Sequence, residues 1–141
     1  VSRADELRAL LARVEEAEGG DLMLEADLLA LLGGPIHDWP KRWLGLGFHP
    51  TLRVDEARDL IRRVLPDWWA SSGLCSLTGH ASIGPDYNGP AAERLKAEWP
   101  EERFHEGFHA DLKPGDGPHR ECLALIAALL SALLAREADH G

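Results

Sequence analysis

Apolar positions along the chain follow two periods, one near 3.6 and one of 2, and the switches between them predict the elements. Leu7, Leu10, Leu11 and Val14 share one helical face, behind Ser2 and Asp5, a helix start of the capping-box kind. Gly19-Gly20 stops that helix, Asp21 caps a second, and Leu24, Leu28, Leu31 and Leu32 form its stripe. Met23 and Leu29 widen the stripe and predict cover on more than one side. Gly33-Gly34-Pro35 closes this N-terminal helical pair over residues 1–33. Gly34 to Pro50 reads as a long loop with a short strand at Trp43–Phe48, and loops of that length are often functional.

Thr51 opens the next predicted helix, whose apolar face is Val54, Ala57, Leu60, Ile61, Val64 and Leu65. Asp59 precedes Arg63 in the favourable i, i+4 order, and Pro66 ends the helix. Trp68-Trp69-Ala70 and Leu74–Ile83 predict two strands joined through a hairpin-like turn at Ser71-Ser72-Gly73. In the second, Cys75, Leu77, Gly79, Ala81 and Ile83 alternate with Ser76, Thr78, His80 and Ser82, one buried face and one polar face. A short helix starts at Pro90, Glu101–Gly107 is irregular, and Phe108–Leu112 is a third strand. Pro114 to Gly117 is a loop, and Pro118 starts the last helix with Asp116 or Gly117 as its cap. Cys122 to Ala135 is apolar nearly all round, which suits a central core helix or an oligomer interface. This order predicts one α+β domain over 1–141, a small, mainly antiparallel three-stranded sheet packed with helices, with the sheet and an apolar C-terminal core helix in 51–141.

Composition narrows the function classes. Acidic residues outnumber basic ones 24 to 15, for a formal charge of −9. Nucleic-acid readers carry basic faces, so direct nucleic-acid binding is not expected. The acidic sign fits either solubility or docking on a basic surface. Cys75 and Cys122 form no CxxC and no disulfide framework, which predicts a reducing, cytoplasmic setting. No apolar run approaches the length of a membrane span, and Val1 to Leu10 is charged and amphipathic, unlike a secretory signal.

Candidate chemistry is sparse. His105 and His109 are four apart, but Gly107 lies between them and no HExxH accompanies them; His109 and Asp111 alternate onto one strand face. Cys75 and His80 are five apart on a predicted strand, hence on opposite faces, Cys75 inward and His80 outward. GxSxG, GxGxxG after a strand and the P-loop pattern are all missing, so no catalytic residue, metal or cofactor is expected. Trp39, Lys41, Arg42 and Trp43 interleave rings with cations, between His37 and His49. Such a loop can grip a nucleotide, anchor a protein partner, or simply pin itself to the core. Glu93, Glu98, Glu101, Glu102, Glu106 and Asp111, with Asp86 nearby, are offset only by Arg94, Lys96 and Arg103, the sharpest charge asymmetry in the chain. They are the expected partner-binding residues.

Thr51-Leu52 with Asp55, Ala57 and Leu60, then Leu65-Pro66 and Trp68-Trp69, and finally Cys122-Leu123-Ala124-Leu125, resemble a family of small phage and prophage proteins, the α/β/α-sandwich ("ABA sandwich") family. The resemblance covers Thr51 to the C-terminus and implies a fold and a phage context, with no activity. Joined to the charge, it gives the expectation of a non-enzymatic phage accessory protein in the host cytoplasm. Its expected action is to occupy, as an acidic inhibitor in the manner of an anti-CRISPR, the basic surface of a host defence complex that binds nucleic acid. Two alternatives stand beside it. One is a sponge for a nucleotide signal in the Trp39–Trp43 loop; the other is a minor virion or assembly component, with a homodimer through 118–135.

Overall fold

Ser2 accepts a hydrogen bond from the Asp5 amide at 3.1 Å and so satisfies one orphan donor at the start of α1 (Arg3–Glu16). In the computed structural model, which describes residues 2–34, 38–43, 47–112 and 119–140 without the side chains of Arg42 and His140, α1 leads into α2 (Leu22–Leu32). A 3₁₀ turn at Lys41–Trp43 and α3 (Val54–Val64) follow. Next come β1 (Trp68–Leu74), β2 (Gly79–Pro85), α4 (Ala92–Glu98), α5 (Glu101–Phe104), β3 (Phe108–Leu112) and α6 (His119–His140). Asp21 caps α2 as its position predicts, accepting from the Leu24 amide at 3.0 Å. The fold is α+β, with an antiparallel three-stranded sheet in the order β1-β2-β3.

α6 is the axis of the core. Residues Cys122 to Leu130 are each at most 2% exposed. The helix packs against α1, α3 and all three strands, and removing that apolar surface from water drives the packing. The β2 residues that face it, Gly79, Ala81 and Ile83, start small, and the backbones meet there: a Cβ on Gly79 would lie 2.5 Å from the Arg120 carbonyl. The apolar faces of α6 are therefore spent inside the chain. Residues 122–130 offer no surface for the homodimer expected at 118–135.

Several expected boundaries move. β1 runs through Ser71-Ser72-Gly73, and the hairpin turns at residues 75–78, closed by Cys75 N–H to Thr78 O at 2.9 Å. Cys75 is consequently exposed on the turn, not inward on a strand, and Leu77 beside it is 73% exposed. Thr51 does not cap α3; the helix begins after Arg53 with no side-chain cap, and Thr51 is buried. The short helix begins at Ala92, and the segment expected to be irregular contains α5, entered from Pro100. Asp59 pairs with Arg62 at 2.8 Å, while Arg63 donates to Gly33 O at 3.1 Å. Met23 is exposed, so its side of α2 is not covered. Residues 44–46 of the expected strand at 43–48, His37, the 114–117 loop and the cap of α6 lie outside the described residues.

Candidate functional site: the open face of the sheet

Period-2 alternation places on one face of the sheet everything that does not meet α6. The register sets these side chains in rows. Ser71 faces Ser82, which faces His109; Gly73 faces His80, which faces Asp111; Trp69 faces Gly84. Trp69, Ser71, His109 and Asp111 are exposed, and His80 and Ser82 are half-buried. The adjacent tryptophans split between the faces as alternation requires: Trp68 enters the core and Trp69 remains outside.

Ser82, His109 and Asp111 are hydrogen-bonded in line. Ser82 Oγ lies 2.7 Å from His109 Nδ1, and His109 Nε2 lies 2.8 Å from Asp111 Oδ2. A carboxylate only accepts, so Nε2 carries the proton; in the neutral ring Nδ1 then accepts the Ser82 hydroxyl hydrogen. These are the connections of a nucleophile, a base and an orienting carboxylate. Among the described residues the surroundings do not complete that machinery. His109 and Asp111 are more than half exposed, in high dielectric. β2 is the central strand, so the amides beside Ser82 point into the two ladders, in the plane of the sheet, and do not serve as oxyanion donors above it. What the line achieves is a fixed imidazole plane on the open face. Sequence alternation assigns His80 with Ser82, and His109 with Asp111, to polar faces; their union depends on the β2–β3 register, which one sequence does not encode legibly.

Rings lie over glycines on this face. A Cβ on Gly84 would sit 2.6 Å from Trp69 Cζ2, 2.8 Å from its Cε2 and 2.9 Å from its Nε1. A Cβ on Gly107, whose φ of +73° already favours glycine, would sit 3.2 Å from Trp69 Cζ2. The His80 ring covers Gly73 in the same way, 2.7 Å from the Cβ position. Trp69 is left 39% exposed.

At the Trp69 end, α4 and α5 form an acidic ridge. Glu93, Glu101, Glu102 and Glu106 are exposed and make no ion pair among the described residues. Glu98 is held by Arg94 at 3.0 Å, and Arg94 also grips Asp67 at 2.7 Å; Arg103 is paired with Asp139. Burial, and after it the charges of Glu101 and Glu102, push the Tyr87 phenol above its ordinary value. The ridge is seated on an aromatic cluster: Trp99 meets Trp68 at 4.7 Å and Phe104 at 5.2 Å, and Tyr87 donates to Trp99 O at 2.5 Å. Of the six expected partner-binding carboxylates, Asp111 stands apart. Its β2 partner is His80, near the hairpin turn, whereas Phe108, at the ridge end of β3, pairs with Ile83.

The expected aromatic loop is drawn inward. Trp43 is 4% exposed and stacks on Phe48 at 4.4 Å, with the Arg63 guanidinium 5.3 Å from its ring centre. Trp39 is half-buried and donates its indole N–H to Gly34 O at 3.1 Å. Lys41 is exposed, and the Arg42 side chain lies outside the described residues. Among the described residues, then, Trp43 has no ring face left for a nucleotide.

Elsewhere, Glu25 forms a buried hub that no motif announces. Its carboxylate accepts from the Thr51 amide at 2.9 Å and the Thr51 hydroxyl at 2.6 Å, and meets His49 Nδ1 at 3.0 Å. The Thr78 amide, then the Leu77 amide and the Thr78 hydroxyl, hold the exposed Cys75 thiol below its ordinary value; burial pushes Cys122 up to about 12. His105 Nδ1 turns to Glu101 O at 3.1 Å, away from His109. No group of three or more His, Cys, Asp or Glu among the described residues could hold a metal ion, and no helix there is long and apolar enough to cross a membrane. No protein-family model, curated protein or solved structure matches the chain.

Proposed function

We propose that the protein acts by docking, as an acidic ligand, on the basic nucleic-acid-binding surface of a protein partner, and that it competes there with nucleic acid. The observation that carries this reading is the ridge of Glu93, Glu101, Glu102 and Glu106, exposed, without cationic partners among the described residues, and fixed on the Trp99 cluster. Free carboxylates on rigid elements cost no side-chain pairing to expose and steer a basic partner by long-range attraction. The phage context that the resemblance implies, joined to the acidity of the chain, supports a host defence complex as that partner and an action in the manner of an anti-CRISPR. No covalent step is part of the proposal.

Affinity capture from a bacterial lysate at about 0.05 M and about 0.5 M salt tests it, because exposed charges separated by more than roughly a Debye length stop attracting at the higher value. The expected result is a basic protein retained at low salt and lost at high salt. It is also lost when Glu93, Glu101, Glu102 and Glu106 are changed to Lys, and added protein displaces labelled nucleic acid from it. Retention indifferent to both changes, or retention of nucleic acid alone, overturns the reading.

A further inference from the structure

We infer that the open sheet face at Trp69 is a receptor for arginine: the guanidinium of a basic partner stacks on the exposed indole, and Glu106 supplies the counter-charge. The inference rests on the docking reading above and names the side chain that the surface takes.

Glycines seat the Trp69 ring. Ring atoms Cζ2, Cε2 and Nε1 of Trp69 all lie within 2.9 Å of the Cβ position of Gly84, so the Nε1–Cε2–Cζ2 edge of the indole sits over that glycine. Gly107, just before β3, lies beside the same ring, its Cβ position 3.2 Å from Trp69 Cζ2, and a side chain at Gly84 would displace the ring. The residue is left 39% exposed, so part of the indole outside that edge remains open to solvent. A large aromatic ring left partly in water on a rigid strand is the kind of anchor that protein interfaces concentrate.

Charge chooses the occupant. The next rows of the face hold Ser71, Ser82 and His109, then Gly73, His80 and Asp111, with no Lys or Arg. Arg94 and Arg103, on α4 and α5, are committed to Asp67, Glu98 and Asp139, and Arg58 is bonded to Ser72. Glu106, one residue before Gly107, is exposed and unpaired among the described residues. A nucleobase would also stack on indole, but it brings phosphate into a negative field on a chain of charge −9. A cation is attracted both to the ring face and to the carboxylate. Between the two common cations, guanidinium is planar, weakly hydrated and able to bond a carboxylate with a fork of N–H groups while stacked; ammonium is a hydrated point charge.

The test is an amide and indole NMR titration of the labelled protein with three probes: an alternating arginine–glycine peptide, its lysine counterpart and oligothymidylate. Trp69→Phe identifies the Trp69 indole signal. The arginine peptide is expected to move that signal together with the Gly84 and Gly107 amides, and to bind about three- to tenfold more tightly than the lysine peptide. Glu106→Gln is expected to weaken the arginine peptide, and Trp69→Ala to abolish the arginine preference. The shift map of the unmodified protein stands even where a variant misfolds. Equal binding of both peptides with the Trp69 signal unmoved overturns the arginine receptor and leaves the acidic ridge as the whole interface. Movement by the arginine peptide that survives Glu93→Lys with Glu101→Lys supports the receptor while removing the ridge from the proposed function. Movement of the Trp69 signal by oligothymidylate and by neither peptide overturns both.

Discussion

Glu25 shows how much a single buried side chain carries here. It is 4% exposed, and both of its oxygens are occupied, one by His49 and the other by the amide and hydroxyl of Thr51. Thr51 in turn accepts from the Asp21 amide at 3.0 Å, so one carboxylate ties the start of α2 to the segment entering α3. Glu25→Ala leaves those donors buried and unpaired; urea unfolding is expected to show a loss of about 3 kcal/mol. Thr51 looks like a helix opener because Thr caps helices, and its residue type fits either role; only its burial reveals the hub. The thiols give a second residue-scale prediction. A disulfide reagent is expected to titrate Cys75 in the native protein and Cys122 only on unfolding, since one is exposed and held low and the other is buried and raised. Cys122 rises from 9.0 to about 12, so its contribution to stability is full below the unfolded thiol's value and is lost as pH climbs through the folded one. Cys122→Ala should flatten that alkaline decline in the melting temperature. Ser82 supplies the third: a fluorophosphonate probe is expected to leave it unlabelled, because a hydrogen-bonded base without an oxyanion site does not make a competent nucleophile. Stoichiometric labelling at Ser82 would replace docking with acyl transfer as the role of the open face.

At the scale of elements, β2 is the strand on which the molecule depends, and its two faces are written in different ways. The inner face was legible: alternation puts Gly79, Ala81 and Ile83 toward the core, and all three are buried there. The run of Ala and Leu in α6 was equally legible, because a helix apolar all round has to be surrounded. The hairpin was misplaced for a physical reason. Ser71-Ser72-Gly73 has turn composition, but here Ser72 links Arg58 to Glu121 at 2.7 Å on each side, and Gly73 leaves room for the His80 ring. Glycines serving cross-strand rings are indistinguishable, in one sequence, from glycines serving turns. The open face was half legible for the same reason: each strand's polar residues can be sorted, but Trp69 over Gly84 and Ser82 against His109 are facts of register. Two substitutions separate these uses of glycine. Gly79→Ala would push a methyl into the Arg120 backbone and is expected to cost about 1–3 kcal/mol. Gly73→Ala meets only the His80 ring, which can rotate away; its melting temperature should stay close to that of the unmodified protein while the His80 resonances shift. Equal losses at both positions would show that the β2–α6 contact is not the close one.

For the whole molecule, the charge of −9 acts in opposite directions on folding and on docking. Within the chain, many cations are already paired: Arg3 with Glu137, Arg13 with Asp27, Arg94 with Asp67 and Glu98, Arg103 with Asp139. These pairs are solvent-exposed to differing degrees and each is worth little, whereas the carboxylates left over repel one another across the surface. Raising salt from about 0.02 M to about 0.3 M shortens the Debye length and relieves that repulsion, so the thermal midpoint should rise by a few degrees. Over the same range the affinity for a basic partner should fall by about tenfold or more, since attraction between exposed charges is what the added ions screen. Solubility alone as the role of the charge would produce the first slope without the second. A midpoint that falls with salt would mean that the ion pairs outweigh the repulsion. The excess negative potential at α4 and α5 would then be too small to steer a partner, and Trp69 would have to hold its ligand by stacking alone.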